Sequence, residues 1–177
     1  MNQPSAQAFD RLGNEYKNWK ITAQELWASA AVLYREREKA EAGIAGIAGP
    51  SKAPIEMLTL WVDLMLRGFA IECLLKALWV RNGNKIAKDG KYQNVTKTEK
   101  HDLVDLCQTV GFPAIPSEMA ILRKLSQLVR ATGRYPIAKR FTDMHEDEKW
   151  WSSTEDETLE KFVHRLKWAI TNAKVAK

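Results

Sequence analysis

A chain of 177 residues is long enough to bury one substantial core and short for two domains. With 45% hydrophobic and 28% charged residues, its composition is that of an ordinary soluble globular protein, which excludes a disordered or fibrous chain. A net charge of +5 is too mild for a general nucleic-acid coat, and no apolar run reaches the length that a bilayer demands.

In chain order, the first residues lack a basic start followed by an apolar run, so no signal peptide is expected and a cytoplasmic location is the default. Ala6 to about Ala42 reads as helix, interrupted near Gly13, with Leu26, Ala30, Leu33 and Tyr34 on one side. The Gly- and Pro-containing stretch 43–54 predicts a flexible loop. Ile55 to about Arg81 is the central helix, and Gly83 supplies its stop signal. Residues 84–97 form a polar, lysine-rich loop. Thr96 and Glu99 match a capping box before a short helix that buries Leu103, Leu106, Cys107 and Val110. Pro116 suits the first turn of a helix running to about Ala131. A second polar loop, 133–153, leads to a last helix through Leu159, Phe162, Val163, Leu166 and Ile170. Period-two alternation is almost absent. The prediction is therefore a single all-α domain over 1–177, an antiparallel up-and-down helical bundle of four to six helices.

Cys73 and Cys107 fall within apolar helical patterns and read as buried free thiols, with no metal-ligand spacing and no cofactor expected. Charge is distributed unevenly. Met119 to Thr142 carries Arg123, Lys124, Arg130, Arg134, Lys139 and Arg140 and no acid, whereas Asp143 to Glu160 carries eight acids against Lys149 alone. Clustered cations favour anionic partners, and adjacent blocks of opposite sign can also pair with each other, within the chain or across a dimer.

On the central helix, 100° steps place Glu56, Asp63 and Arg67 on one narrow stripe, the expected water-facing edge. Glu72 and Lys76 lie roughly opposite, in line with Leu58, Trp61, Met65 and Phe69. They are either an exposed i,i+4 pair at the bundle's end or the lining of a cleft, since a buried charge pair is a poor way to gain stability.

"AIECLLKALWV", a polar loop and then "KHDLVDL" resemble the HEPN family of helical-bundle domains, with Glu72, Leu75, Lys76, Ala77 and Leu78 on the central helix and His101, Asp102 and Leu103 on the next. "GRYP", Gly133 to Pro136, is similar to an element of one HEPN branch. The resemblance covers roughly Pro54 to Arg140. By helical angle His101 is a surface histidine near a helix N-terminus, and the resemblance implies that it meets Glu72 or Lys76 across the bundle as a structural polar contact.

Arg123, Gln127 and Arg130 follow i, i+4, i+7 on the Pro116 helix, and Arg134 continues the row toward Tyr135 and Lys139. Guanidinium forks suit phosphate oxygens and a tyrosine ring can stack a base, so Arg123, Arg130, Arg134, Tyr135 and Lys139 are the candidate ligand-binding residues. Many HEPN proteins carry an Arg-(four to six residues)-His motif, which implies metal-independent RNA cleavage in a homodimer. Around Arg130 no histidine stands at the required distance, and the formal match, Arg140 with His145, follows Pro136 and precedes acids that repel RNA. The catalytic candidates are Arg134, Arg140 and His145.

The favoured expectation is a HEPN-like homodimeric module that binds a nucleotide, an RNA or a protein partner through its basic helix edge, without a clear catalytic motif. The alternatives are a metal-independent endoribonuclease of toxin or phage-defence type, and a purely structural dimeric interaction domain.

Overall fold

The computed structural model describes residues 5–44, 55–96, 101–132 and 151–173. The protein is an all-α helical bundle. Its helices are α1 (Ala6–Gly13), α2 (Tyr16–Ile44), α3 (Ile55–Arg81), α4 (Leu103–Val110), α5 (Pro116–Gln127) and α6 (Ser153–Asn172). A π turn, Leu128–Thr132, continues α5. Among the described residues no helix is long and apolar enough to cross a membrane.

Partners along α2 and α3 run in opposite order, Arg37 with Asp63, Tyr34 with Arg67, Trp19 with Lys76 and Tyr16 with Arg81, so the two are antiparallel over most of their length. Arg165 of α6 meets Glu118 of α5, and Glu155 meets Lys124, which makes that pair antiparallel as well. The core is built from Leu64, Ile71, Leu74, Leu75 and Leu78 of α3 against Leu103 and Leu106 of α4, Leu122 and Leu125 of α5, and Phe162 and Leu166 of α6. These apolar residues recur at three- and four-residue spacing, which puts them on one side of each flanking helix. Apolar α3 is covered on several sides and holds the centre.

The break at Gly13 separates α1 from α2, and Pro116 opens α5, with the Ile115 amide donating to the Glu118 carboxylate at 2.9 Å. Three expectations change. The first concerns the polar loop after Gly83, which contains a small antiparallel hairpin, β1 (Ala87–Lys88) with β2 (Lys91–Tyr92). The second is the start of α4, where the cap is Asp102 and not the Thr96/Glu99 box. The Asp102 carboxylate accepts from the amides of Val104 and Asp105, both at 3.0 Å, and Glu99 lies outside the described residues.

The third is the stripe expected to face water. Asp63 is 1% exposed and Arg67 5%. Arg67 donates to Asp63 at 2.7 Å and to Asp156 of α6 at 3.2 Å, while its guanidinium lies over the rings of Trp27 and Tyr34 at 5.5 and 5.0 Å. An ion pair one helical turn apart, capped by aromatic rings and a second carboxylate, can be enclosed between α2, α3 and α6 because its hydrogen bonds are made internally. The side chain of Glu56 lies outside the described residues.

Candidate functional site

Glu72 and Lys76 extend from the second half of α3 toward the start of α4. Lys76 donates to Glu72 Oε1 at 2.6 Å, and Nδ1 of His101 lies 2.8 Å from Oε2. One carboxylate therefore holds two partners, a bidentate use of charge-assisted hydrogen bonds. Burial pushes the Glu72 carboxyl upward, but the charge and hydrogen bond of Lys76 and the contact with His101 outweigh it and hold the group below its ordinary value. Burial acts on Lys76 in the opposite sense, lowering it. The charge and hydrogen bond of Glu72, with a further contribution from Tyr92, leave the ammonium above its ordinary value. Lys76 also sits over the rings of Trp19 and Tyr92, at 5.2 and 5.3 Å.

His101 reaches Glu72 because its backbone is left-handed, with φ of 65°. A residue with a Cβ adopts that conformation at a cost, repaid here by the Glu72 contact and by edge-on packing against Phe69 at 5.7 Å. Next to it, Asp102 caps α4 with one oxygen and lies 3.9 Å from Nη1 of Arg130 with the other. Arg130 occupies the π turn and donates from Nε to the Ser126 carbonyl at 3.2 Å. The Ser126 hydroxyl accepts from the Leu103 amide at 2.9 Å, which ties the start of α4 to α5. His101 and Arg130, far apart in sequence, are thus joined through Asp102.

The basic row divides at the π turn. Arg123 is exposed on α5 and Arg130 is half-buried against Asp102. A π turn takes more residues per turn than an α-helix, so i, i+4, i+7 spacing across it no longer marks one edge. Arg134, Tyr135, Lys139, Arg140 and His145 lie outside the described residues. Part of the acidic block pairs inside the chain, Glu155 with Lys124 and Asp156 with Arg67.

A cavity of about 300 Å³ opens beside this cluster, lined by Glu72, Lys76, Tyr92, Asn94, Thr96 and His101 among others. Two larger depressions flank Trp27 and Trp168, at about 620 and 570 Å³. In the first, Arg67 is already held by two carboxylates. In the second, Arg165 is held by Glu118 against a mainly apolar wall that includes Val110, Phe112 and Ala169. The smaller cavity is the one where a histidine, a lysine and unpaired polar groups converge. Among the described residues no group of three His, Cys, Asp or Glu side chains is placed to hold a metal ion. Cys73 and Cys107 are free thiols pushed up to about 11 by burial, which makes them poor nucleophiles.

The sequence reading named Asp102 only within the His-Asp-Leu element and missed it as the cap of α4, although an aspartate directly before an apolar run is the usual helix start signal. It also overlooked Trp19 and Tyr92, for which the sequence carries no local signal. Comparison with protein-family models, with curated proteins and with solved structures finds no match for the chain.

Proposed function

We propose that the chain is a HEPN-like module that binds a nucleotide or a single-stranded RNA segment in the cleft between α3, the hairpin segment and the start of α4, with Arg130 of the π turn behind Asp102. The observation that carries this reading is the Glu72–Lys76–His101 cluster on the wall of the 300 Å³ cavity. Replacing buried Glu72 and its partly buried partners by apolar side chains would serve stability as well or better, so their presence points to a ligand. Lys76 and Arg130 are the cations for phosphate oxygens, and Tyr92 is the exposed aromatic ring.

Titration of labelled RNA and of ATP at several salt concentrations tests this. Affinity should fall as salt rises, and Lys76→Met or Arg130→Gln should weaken binding and reduce the salt slope by about one for each cation removed. Affinity that ignores both salt and these substitutions would remove the cleft from consideration.

The His101–Glu72 geometry favours a second reading, metal-independent RNA cleavage. In a neutral imidazole whose Nδ1–H donates to Glu72, Nε2 carries the lone pair that can take the proton of a 2′-hydroxyl. The 2′-oxygen then attacks phosphorus and the bond to the 5′-oxygen breaks. A cyclic 2′,3′-phosphate remains, and the departing oxygen takes a proton from water. Arg130 and Lys76 would stabilise charge on the phosphorane. Purified protein incubated with RNA in EDTA should then give cyclic ends, and His101→Ala should lower the rate by at least about a hundredfold. Intact RNA, or equal cleavage by the variant, leaves binding without catalysis. A purely dimeric interaction domain is less well supported, because Lys124–Glu155 and Arg67–Asp156 use opposite charges within one chain.

A further inference from the structure

We infer that Tyr92, Asn94 and Thr96 form a nucleobase-recognition subsite at the cavity beside Glu72 and His101, separate from the cations that meet phosphate. This inference rests on the nucleotide-binding reading and adds to it which part of the ligand is read, and by what.

The hairpin that presents these residues is fixed before any ligand arrives. Asn14, at the end of α1, accepts from the amides of Ile86 and Ala87 at 2.8 and 3.1 Å and donates to the Ala87 carbonyl at 2.8 Å. The Asp10 carboxylate accepts from the amides of Asp89 and Gly90 at the hairpin tip, at 2.8 and 3.0 Å. Fully buried Ile86 anchors the strand from beneath. A two-residue hairpin has little stability of its own, and these contacts supply what it lacks. Preorganisation of this kind favours affinity, since the loop need not be ordered on binding.

Tyr92 is 46% exposed although it lines the cavity. The Lys76 ammonium lies over its ring at 5.3 Å, and nearly half of the residue stays accessible. Stacking on such a ring needs only a π face, which every base has. Asn94 and Thr96 follow within four residues and line the same cavity. Among the described residues, neither the Asn94 amide nor the Thr96 hydroxyl has a hydrogen-bond partner. A carboxamide offers a donor beside an acceptor, the pair that matches the N6/N7 edge of adenine, and a hydroxyl offers both. Val95 and Leu106 add apolar wall. A volume of about 300 Å³ lies at the lower end of small-molecule sites, which run from roughly 300 to 1,000 Å³. It suits one base and its sugar, not a stretch of duplex.

The test compares AMP with ribose 5-phosphate by calorimetry on wild-type protein, Tyr92→Ala, Tyr92→Phe and Asn94→Ala. Both positions are exposed, and thermal melts check that the variants remain folded. Wild type should bind AMP more tightly than the sugar phosphate. Tyr92→Ala should weaken AMP roughly tenfold and leave ribose 5-phosphate within about twofold. Tyr92→Phe, which keeps the ring, should stay near wild type, and Asn94→Ala should lose part of the AMP preference only. Equal weakening of both ligands in Tyr92→Ala would show that the ring acts through Lys76 and overturn the subsite. Equal wild-type affinity for AMP and ribose 5-phosphate would overturn the subsite while leaving phosphate binding intact. No binding of either compound would overturn the subsite and the nucleotide reading together.

Discussion

Glu72 divides its two oxygens between a lysine one helical turn away and a histidine 29 residues further on, so its charge state governs the whole cluster. Its folded pKa lies below the ordinary value of 4.5. The stabilisation it gives is therefore complete above that value and fades as pH falls through the depressed one. Glu72→Gln should cost about 2 kcal/mol near pH 7, and the gap to wild type should narrow as pH falls below 4.5 and through the depressed value. Urea midpoints followed from neutral pH into acid measure this, and a gap that does not change would remove the ionised carboxylate as its source. His101 contributes differently, since its left-handed backbone is a cost in itself. Both His101→Ala and His101→Gly remove the hydrogen bond to Glu72, but only glycine relieves the strain, so the glycine variant should be more stable by about 1 kcal/mol. Equal urea midpoints would mean that the backbone relaxes once the ring is gone. Sequence pattern located Glu72 and Lys76 as charges on the wrong face of an apolar helix, and the family resemblance implied a contact with His101. The left-handed turn that makes the contact leaves only a weak mark in residue type, because histidine is commoner there than most residues yet still uncommon.

Among the elements, the π turn after α5 sets where Arg130 stands, and Gly68 of α3 gives that turn its room. A Cβ on Gly68 would come 2.5 Å from Cγ2 of Val129 and 3.7 Å from Cβ of Leu125. Val129 is 0% exposed and has nowhere to move. Alanine is the better helix former by about 1 kcal/mol, yet overpacking costs about 1–3 kcal/mol, so Gly68→Ala should destabilise the protein. It should also weaken RNA or nucleotide binding, because the π turn carries Arg130. Thermal unfolding and titration of the same variant check both effects, and a raised melting temperature would show that the close approach is not tight. The helices themselves were legible, since their apolar residues repeat with the period of a helix and Pro116 and Gly83 punctuate them. The hairpin was not. Its strands are two residues each, and Asn14 and Asp10, more than 70 positions away, hold it in place. The row from Arg123 to Arg130 runs into the π turn, across which α-helical spacing does not carry.

Across the whole molecule, Asp63 and Arg67 lie on the stripe that helical angle alone would turn to water, yet they are buried. Helical angle describes one helix, whereas α3 is covered by α2 on one side and by α6 near Asp156. What identifies Asp63 and Arg67 as interior is the company of Trp27, Tyr34, Arg37 and Asp156, and those residues come together only in the fold. Burial holds the Asp63 carboxyl above its ordinary value even against the pull of Arg67 and Arg37. For a carboxylate raised in this way, the contribution to stability is greatest at low pH and is lost as pH rises through the folded pKa. Arg67→Met fills similar space with an apolar chain but leaves Asp63 without its nearest cation. The substitution should destabilise by about 3–5 kcal/mol near neutral pH. It should also raise the Asp63 pKa further, so the loss should grow as pH rises from acid to neutral and shrink as acid protonates the carboxylate. Denaturant midpoints across that range measure the trend. A loss independent of pH would mean that Arg67 acts through its packing against Trp27 and Tyr34 and not through its charge. Adding Asp63→Asn distinguishes the two again, because it should recover most of a charge-based loss and none of a packing one.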